Sequence, residues 1–199
     1  MERSIASRTA NRVACALAVL FSSQVFSVEK EICFSCHGKG GTSTVPLTPS
    51  LGGQPSFFTV AQLFLFRDGR RSKAPTPMDE FAKKLSDAEL QALAAIFEKQ
   101  KPPLPPAQAP DRARFERGKK LLEGRNCGVC HNPDFSGREQ MPRLANQRED
   151  YLLKAMRDYQ GGRRIGYGSA TMPEELAGLT DANLADISHY LAQLPAGKK

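Results

Sequence analysis

The sequence predicts an all-α protein built from two similar small domains, and three observations support this. Its 199 residues are 40% apolar and 8% aromatic, with no Trp, which suffices for one ordinary domain or two small ones and excludes a large multidomain enzyme. Leu, Ala and Phe supply the apolar content and β-branched residues are sparse, so we expect helices joined by long loops rather than alternating strands. The second half also repeats the order of motifs in the first.

Residues 1–27 are typical of a signal peptide and are set aside from the fold. A positive region comes first, with Arg3, Arg8 and Arg12. Nine apolar residues follow, Val13 to Phe21, too few to span about 30 Å of hydrocarbon as a helix. An uncleaved membrane anchor is the alternative, because the apolar run extends loosely to Phe26. We expect cleavage before Val28 and export to the periplasm.

The chain carries a formal charge of +7. Removing residues 1–27 takes away three arginines and one glutamate, which leaves +5. This falls well short of a nucleic-acid-binding tail, so no nucleic-acid partner is expected. The densest basic run, 112–125, is interrupted by Glu116 and Glu123, and we expect a solvated helix face there.

Two copies of a Cys-x-x-Cys-His motif contain the four cysteines that follow the leader, at 33–37 and 127–131, an interval of 94 positions. This is the attachment motif of c-type haem. Two thiols three positions apart on a helical turn reach the two vinyl groups of one porphyrin, and the adjacent His points at the iron. We therefore expect two covalent haems, held by Cys33, Cys36, Cys127 and Cys130, with His37 and His131 as proximal iron ligands.

Zinc knuckles, structural disulfides and thioredoxin-like redox pairs also use closely spaced cysteines. None of these alternatives gives a reason for a His directly after the second Cys in both copies. The 94-residue interval is also far longer than is usual between two zinc knuckles. Haem attachment is the favoured interpretation.

The repeat continues beyond the cysteines. PSLGGQ at 49–54 matches PRLANQ at 142–147, shifted by 93 positions, and LSDA at 85–88 matches LTDA at 179–182, shifted by 94. Between the halves, residues 101–110 contain five prolines, which predicts a semi-rigid extended linker. The expected organisation is a signal peptide over 1–27, a first domain over 28–101, a linker over 102–110 and a second domain over 111–199.

The predicted helices, in chain order, are a short stub near 29–32, a closing helix from Ser86, a helix over 112–123, a middle helix over 151–160 and a second closing helix from Thr180. Ser86 and Glu89 form a capping box, and Thr180 is the matching helix start. Apolar residues then recur at helical spacing. Glycines at 161 and 162 end the middle helix.

Met78 and Met172 are the candidates for the sixth iron ligand. Each lies 45 positions after the first Cys of its motif, in a Pro-containing loop. Met156 has Leu63 as its repeat partner and is expected to pack in the core, while Met141 is expected near the proximal side. His/Met ligation closes the iron and raises its potential, which suits electron transfer, whereas an open position suits catalysis.

Two prolines and one further histidine complete the candidates. Pro49 and Pro142 follow the haem histidines by twelve and eleven residues. Either they present a backbone carbonyl to the His Nδ1 atom or they are simple turn prolines. His189 has Ala95 as its repeat partner, so we expect an exposed or capping side chain rather than a ligand.

Taken together, these motifs resemble the dihaem class I cytochromes c, specifically the cytochrome c4 group. The match covers nearly the whole mature chain and departs in its short first helix and in Phe-Phe at 57–58, where Tyr-Leu is usual. The resemblance implies two class I cytochrome folds packed face to face about a pseudo-twofold axis, with the haems close together. It also implies a periplasmic carrier that delivers electrons to a terminal oxidase or similar acceptor.

Two other functions are compatible with two such haem motifs, besides that of a free electron carrier. One is a subunit that carries electrons out of a partner dehydrogenase. The other is a dihaem redox enzyme of the peroxidase or thiosulfate-oxidising type, which needs an open or displaceable iron ligand. The two Met candidates argue against the enzyme. We expect redox protein partners, and peripheral membrane association is left open.

Overall fold

The computed structural model describes residues 26–71, 73, 76–164 and 171–196, with the side chains of 26–30 left out. The expected signal peptide therefore lies almost wholly outside the described residues. Within them the regular secondary structure is helical, and isolated β-bridges occur in loops, one of them between Arg138 and Met141. This confirms the predicted all-α class. None of the helices in this part of the chain is long and apolar enough to cross a membrane.

The first half contains four α-helices among the described residues, α1 (Phe26–His37), α2 (Ser56–Arg67), α3 (Pro77–Ala82) and α4 (Asp87–Lys99), and a short 3-10 helix at Lys39–Gly41. The α4 helix begins as predicted, because the Ser86 hydroxyl accepts from the Glu89 N–H while the Glu89 carboxylate accepts from the Ser86 N–H. The stub predicted near 29–32 is wrong in length. No Gly or Pro interrupts 26–37, so α1 continues through the cysteine motif to His37.

The second half contains five helices among the described residues: α5 (Arg112–Glu123), α6 (Cys127–His131), α7 (Glu149–Gln160), α8 (Thr171–Glu175) and α9 (Asp181–Gln193). The α5 bounds are those predicted, and Asp111 caps its first turn by accepting from the Arg114 N–H at 3.1 Å. Thr180 caps α9 through a reciprocal pair with Asn183. Local capping rules therefore place the helix starts correctly.

Helices α5 and α9 cross in close contact at Gly118. A Cβ atom at this position would lie 2.2 Å from the Asp186 backbone oxygen and 2.8 Å from the Tyr190 Cβ atom. Beside the crossing, the Arg117 guanidinium donates to both carboxylate oxygens of Asp186, at 2.6 and 2.9 Å. Gly118 is needed because only a residue without a side chain lets the two backbones approach so closely.

The two halves differ in how much protein core they contain. In the second half, twelve buried hydrophobic side chains from the loops and from helices α5, α7 and α9 form one cluster. In the first half, the corresponding cluster is Leu85, Leu90 and Leu93. A small domain with so few buried contacts depends on an added group to fill its interior. The first half is therefore the more dependent on its cofactor.

The halves contact each other through the PxLxxQ segments. The Gln54 side chain donates to the Arg143 carbonyl at 3.0 Å and accepts from the Arg143 N–H at 2.9 Å. Gln147 makes the same two bonds with the backbone of Ser50, both at 2.8 Å. Ser50 and Gln54 are equivalent to Arg143 and Gln147 after a shift of 93 positions. Such reciprocal contacts define a pseudo-twofold interface, as the resemblance implies.

Candidate haem sites

Both Cys-x-x-Cys-His motifs lie on helical turns, one ending α1 and the other forming α6. In each, the first cysteine is half-buried and the second is exposed. The following histidines, His37 and His131, are both 6% exposed. The two motifs are therefore presented in the same way, with the thiols at the edge and the imidazole directed inward.

A backbone carbonyl fixes each proximal histidine. The Nδ1 atom of His37 is 2.8 Å from the Pro49 oxygen, and that of His131 is 2.9 Å from the Pro142 oxygen. A carbonyl can only accept, so Nδ1 carries the proton and Nε2 keeps its lone pair. Burial lowers the pKa of both imidazoles, with the proline carbonyls acting in the opposite direction. The neutral form of an imidazole is the one that binds iron. The two contacts also confirm that Pro49 and Pro142 present their backbone carbonyls to the histidines.

The loops that carry these prolines are held by a repeated backbone contact. The N–H groups of Leu51 and Gly52 both donate to the Gly41 carbonyl, at 2.8 and 3.0 Å. In the second half the N–H groups of Leu144 and Ala145 donate to the Phe135 carbonyl, at 2.9 and 3.1 Å. The proline carbonyl is thus placed by the same loop geometry in both halves, although the loop sequences before it differ.

The two candidate methionines lie in equivalent elements. Met78 is in the first turn of α3 and Met172 in the first turn of α8, and both are half-buried. They were expected in loops. The adjacent proline at 77 instead starts α3, because its fixed φ suits a first helical turn. Residues 74–75 and 165–170, which lead into these turns, fall outside the described residues. That both sulfurs bind iron stays a prediction.

The other two methionines of the second half occupy the places expected for them. Met156 is 8% exposed within the hydrophobic cluster, as its Leu repeat partner predicts. Met141 lies in the loop just before Pro142 and exchanges backbone hydrogen bonds with Arg138. Neither placement resembles that of Met78.

The expectation for His189 is wrong. Its side chain is 6% exposed, and Nδ1 lies 2.8 Å from a carboxylate oxygen of Glu149 on α7. Because α5 and α7 both pack on α9, the face of α9 away from its leucines is covered too. Arg114 on α5 binds the other Glu149 oxygen at 2.7 Å. This partly buried polar network joins the three helices, and no periodicity of apolar residues could have indicated it.

The basic run over 112–125 is largely solvated, as expected, since Arg112, Arg117, Lys119 and Lys120 are exposed, but several of its cations also have partners within the second half. Arg114 and Arg117 both pair with Asp186, and the Arg125 guanidinium donates to the carbonyls of Glu175 and Ala177. Three of the cations that appeared available to a partner therefore stabilise the second half instead. Lys119 and Lys120 remain exposed on α5.

The donor set around the cysteines fits haem attachment better than a bare metal ion. Among the described residues, no three His, Cys, Asp or Glu side chains are grouped so that they could hold a metal. Cys36 and Cys130 are not in disulfides. Each motif instead has two thiols beside one imidazole whose tautomer is set, which suits a porphyrin with an iron at its centre.

Comparison with known families supports the same cofactor in each half. Residues 115–195 match the family described as cytochrome c. Residues 24–95 match the family described as cytochrome c oxidase, cbb3-type, subunit III. The two matches are adjacent and do not overlap, in agreement with tandem domains that each bind one haem.

Individual proteins resemble the chain over most of its length. Cytochrome c4 of Thiocapsa roseopersicina is 33% identical over 173 residues, which cover 82% of this chain and 87% of that protein. A thiosulfate dehydrogenase electron acceptor of Thiomonas intermedia is 33% identical over 176 residues, covering 84% and 80%. The crystal structure of reduced cytochrome c4 from Pseudomonas stutzeri superposes with a TM-score of 0.73 at 27% identity, covering 83% and 96%.

Proposed function

We propose that this chain, which belongs to the cytochrome c4 family, is a periplasmic carrier that passes electrons between a dehydrogenase and a terminal oxidase or similar acceptor. It is an electron-transfer protein rather than an enzyme. It binds two covalent haem c groups.

We assign haem attachment to Cys33 and Cys36 in the first half and to Cys127 and Cys130 in the second. The axial ligands in this assignment are His37 with Met78, and His131 with Met172. The observation that carries it is the Nδ1-to-carbonyl bond of each proximal histidine, at 2.8 and 2.9 Å. A histidine whose Nδ1 donates and whose Nε2 is left as a base is prepared to bind iron before the iron arrives.

The protein sets the orientation of the two proximal imidazoles, the access of water to the interior and the relative position of the two haem sites. When bound, each haem supplies an iron that cycles between Fe(II) and Fe(III). The proline carbonyls keep the imidazoles from rotating and raise their basicity. The hydrophobic cluster of the second half, to which α9 contributes four buried residues, excludes water from the interior of that half. The paired bonds of Gln54 and Gln147 keep the halves from rotating relative to each other.

We further propose the domain organisation expected from the sequence: signal peptide 1–27, first domain 28–101, linker 102–110 and second domain 111–199. Two observations support it. Residues 101–111 contain no helix, and the two family matches end and begin on either side of this segment. A leader that directs export agrees with haem attachment outside the cytoplasm.

For the electron donor, we favour a sulfur-oxidising dehydrogenase. One relative at 33% identity is named a thiosulfate dehydrogenase electron acceptor. Stopped-flow mixing of the oxidised protein with a thiosulfate dehydrogenase and thiosulfate tests this, since the haem absorbance reports reduction directly. Reduction should need all three components. Reduction that is no faster than with thiosulfate alone would exclude this donor.

Intact-mass measurement under denaturing conditions tests the cofactor assignment and the leader together. We expect a chain of 172 residues, from Val28 to Lys199, plus two haems. Replacing Cys127 and Cys130 by Ser should remove one haem, and replacing Cys33 and Cys36 by Ser should remove the other. A wild-type mass with one haem or none contradicts the assignment.

A further inference from the structure

Two side chains of the second half contact the proximal loop of the first half, residues 43–49. The Leu47 N–H donates to a carboxylate oxygen of Asp150 at 3.0 Å. The Arg148 guanidinium donates to the Ser43 carbonyl at 3.2 Å. Both side chains come from the beginning of α7. A loop of one half is therefore held by a helix start of the other.

The two side chains that hold this loop are also fixed to each other. The Arg148 guanidinium donates to both carboxylate oxygens of Asp150, at 3.0 and 2.6 Å, and both side chains are half-buried. Burial raises the pKa of the Asp150 carboxyl, but the hydrogen bonds from Arg148 and from the Leu47 N–H bring it below its usual value. The carboxylate is therefore charged at neutral pH. Because a bidentate pair fixes orientation as well as distance, the oxygen that meets Leu47 is held in place.

The backbone at this contact has an unfavourable conformation. Leu47 has a φ of 59°, in the left-handed region that a residue with a branched side chain rarely adopts. Its side chain is about half exposed, so packing provides little support. Such a conformation persists only where the surrounding contacts enforce it. The hydrogen bond from the Leu47 N–H to Asp150 is one such contact.

This loop determines where the carbonyl that contacts the first proximal histidine lies. At its beginning, the Ser43 hydroxyl donates to the Cys36 carbonyl at 3.0 Å, within the first half. At its end, the Pro49 oxygen is 2.8 Å from Nδ1 of His37. Leu47 lies only two positions before that proline. A shift of the loop at Leu47 therefore moves the carbonyl relative to the imidazole.

The equivalent loop of the second half, residues 136–142, is supported mainly by its own half. The Asn132 amide donates to the Gly137 carbonyl at 2.9 Å. The Gly137 N–H donates to a carbonyl of the second haem motif at 3.0 Å. The first half contributes a backbone group, the Phe58 N–H, which donates to the Glu139 carbonyl at 2.9 Å.

The repeat does not reproduce the ion pair that holds the first loop. Pro55 and Phe57 occupy the repeat positions of Arg148 and Asp150, 93 residues earlier. Neither of them has a charged side chain. Support of a proximal loop by an ion pair of the opposite half is therefore one-sided, from the second half to the first.

We propose that Arg148 and Asp150 are positioning residues for the first haem, which act across the interface by keeping the Pro49 carbonyl on Nδ1 of His37. The inference rests on the proposed haem attachment, which the intact-mass measurement tests separately. A hydrogen bond at Nδ1 makes the imidazole a stronger donor, which favours Fe(III). Loosening the loop should therefore raise the reduction potential of the first haem and expose the Nδ1 proton to water.

Two variants that change the charge in opposite directions separate positioning from a direct effect of charge. Asp150→Asn removes a negative charge and Arg148→Gln removes a positive one, but both break the ion pair that holds the loop. A positioning role predicts that both variants raise the potential of the first haem. A direct effect of charge predicts a rise for Asp150→Asn and a fall for Arg148→Gln. A redox titration followed by NMR, with both haems attached, assigns each potential to its haem.

Exchange of the histidine protons with water gives a second readout. In the reduced protein, the Nδ1 proton of His37 should exchange at least tenfold faster in both variants than in the wild type. The Nδ1 proton of His131 should exchange at the wild-type rate. It serves as an internal reference, because general unfolding of the chain would expose both protons. The redox equilibrium of the first haem should shift at least threefold towards the reduced form, and that of the second less than twofold.

Glu149→Gln is the matched control. It removes one negative charge from the position between the two residues, and the partners of Glu149 lie in its own half, on Arg114 and His189. It should leave the His37 proton exchange and the first potential unchanged. Opposite shifts of the first potential in Asp150→Asn and Arg148→Gln would show a direct effect of charge and overturn the proposal. Equal changes at both haems, or an unchanged His37 exchange rate, would also overturn it.

Discussion

Gln54 and Gln147 bind each other's domain through the same pair of hydrogen bonds, each closing a ring with one backbone N–H and one carbonyl of the opposite segment. Gln54 is 3% exposed and Gln147 is 4% exposed. A primary amide is the side chain that can donate and accept at once with this spacing. The Gln of the PxLxxQ motif is therefore an interface residue, and its repetition makes the interface symmetric.

Replacing Gln54 by Ala should destabilise the contact between the halves, and Gln147→Ala should have a similar effect. Each change leaves a buried N–H and a buried carbonyl without partners, at a cost of about 1–3 kcal/mol per group. Calorimetric unfolding should then separate into two transitions. Gln91→Ala, on the exposed face of α4, is the control and should leave the wild-type transition unchanged. A single unshifted transition in both interface variants would contradict the role.

Replacing Met172 by Leu should abolish the Met-to-ferric-iron charge-transfer absorption of the second haem, lower its potential and allow it to bind carbon monoxide. Met156→Leu should leave these three properties unchanged, because Met156 packs within the hydrophobic cluster. Its packing cost should be at most about 1.5 kcal/mol. Visible spectroscopy combined with a carbon monoxide titration distinguishes the Met172→Leu variant from the Met156→Leu variant. The reverse pattern would show that the second half does not follow the repeat's ligand scheme.

Replacing Gly118 by Ala should destabilise the second half by about 1–3 kcal/mol, because the added methyl group would meet the Asp186 backbone oxygen at 2.2 Å. Gly124→Ala is a matched control. No atom lies within 4 Å of its added Cβ, and its φ of −86° suits any residue. Thermal unfolding, followed by the absorbance of the second haem, gives the melting temperatures of both variants. Equal melting temperatures for the two variants would show that α5 and α9 can separate at no cost.

Asp186 should make the stability of the second half depend on pH. The hydrogen bonds from Arg117 hold the pKa of its carboxyl below the usual value, and the charges of Arg117 and Arg114 act in the same direction. Such a group stabilises the folded state fully above its unfolded pKa of about 3.9, and the stabilisation is lost as the pH falls through the lower folded value.

Asp186→Asn should therefore lower the melting temperature at pH 7, and the difference from wild type should shrink as the pH falls below about 3.9. Glu116→Gln removes the same charge from an exposed site on α5 and should have little effect at either pH. A difference from wild type that stays constant between pH 7 and pH 3 would mean that the ion pairs of Asp186 do not contribute.

The sequence by itself determined the features that depend on neighbours along the chain. The capping residues Ser86 and Thr180 marked helix starts, because a cap is completed within three residues. The Cys-x-x-Cys-His motifs indicated the cofactor, because attachment needs a fixed local spacing. The repeat extended this to Pro49 and Pro142, whose carbonyls hold the histidines. Each of these predictions rests on short-range geometry, which the order of residues fixes.

Only the tertiary structure decided which polar groups become buried and what they meet. His189 is expected to be exposed from its repeat partner, yet it is covered because two other helices pack on α9. Arg71 and Arg164 are far apart in the chain and meet only through the pseudo-twofold contact. The burial of a side chain is set by all the elements packed around it, and no pattern within one segment records them. For that reason the haem motifs can be identified from the sequence, whereas the interface between the halves and the partners of the buried polar groups can be identified only in the folded protein.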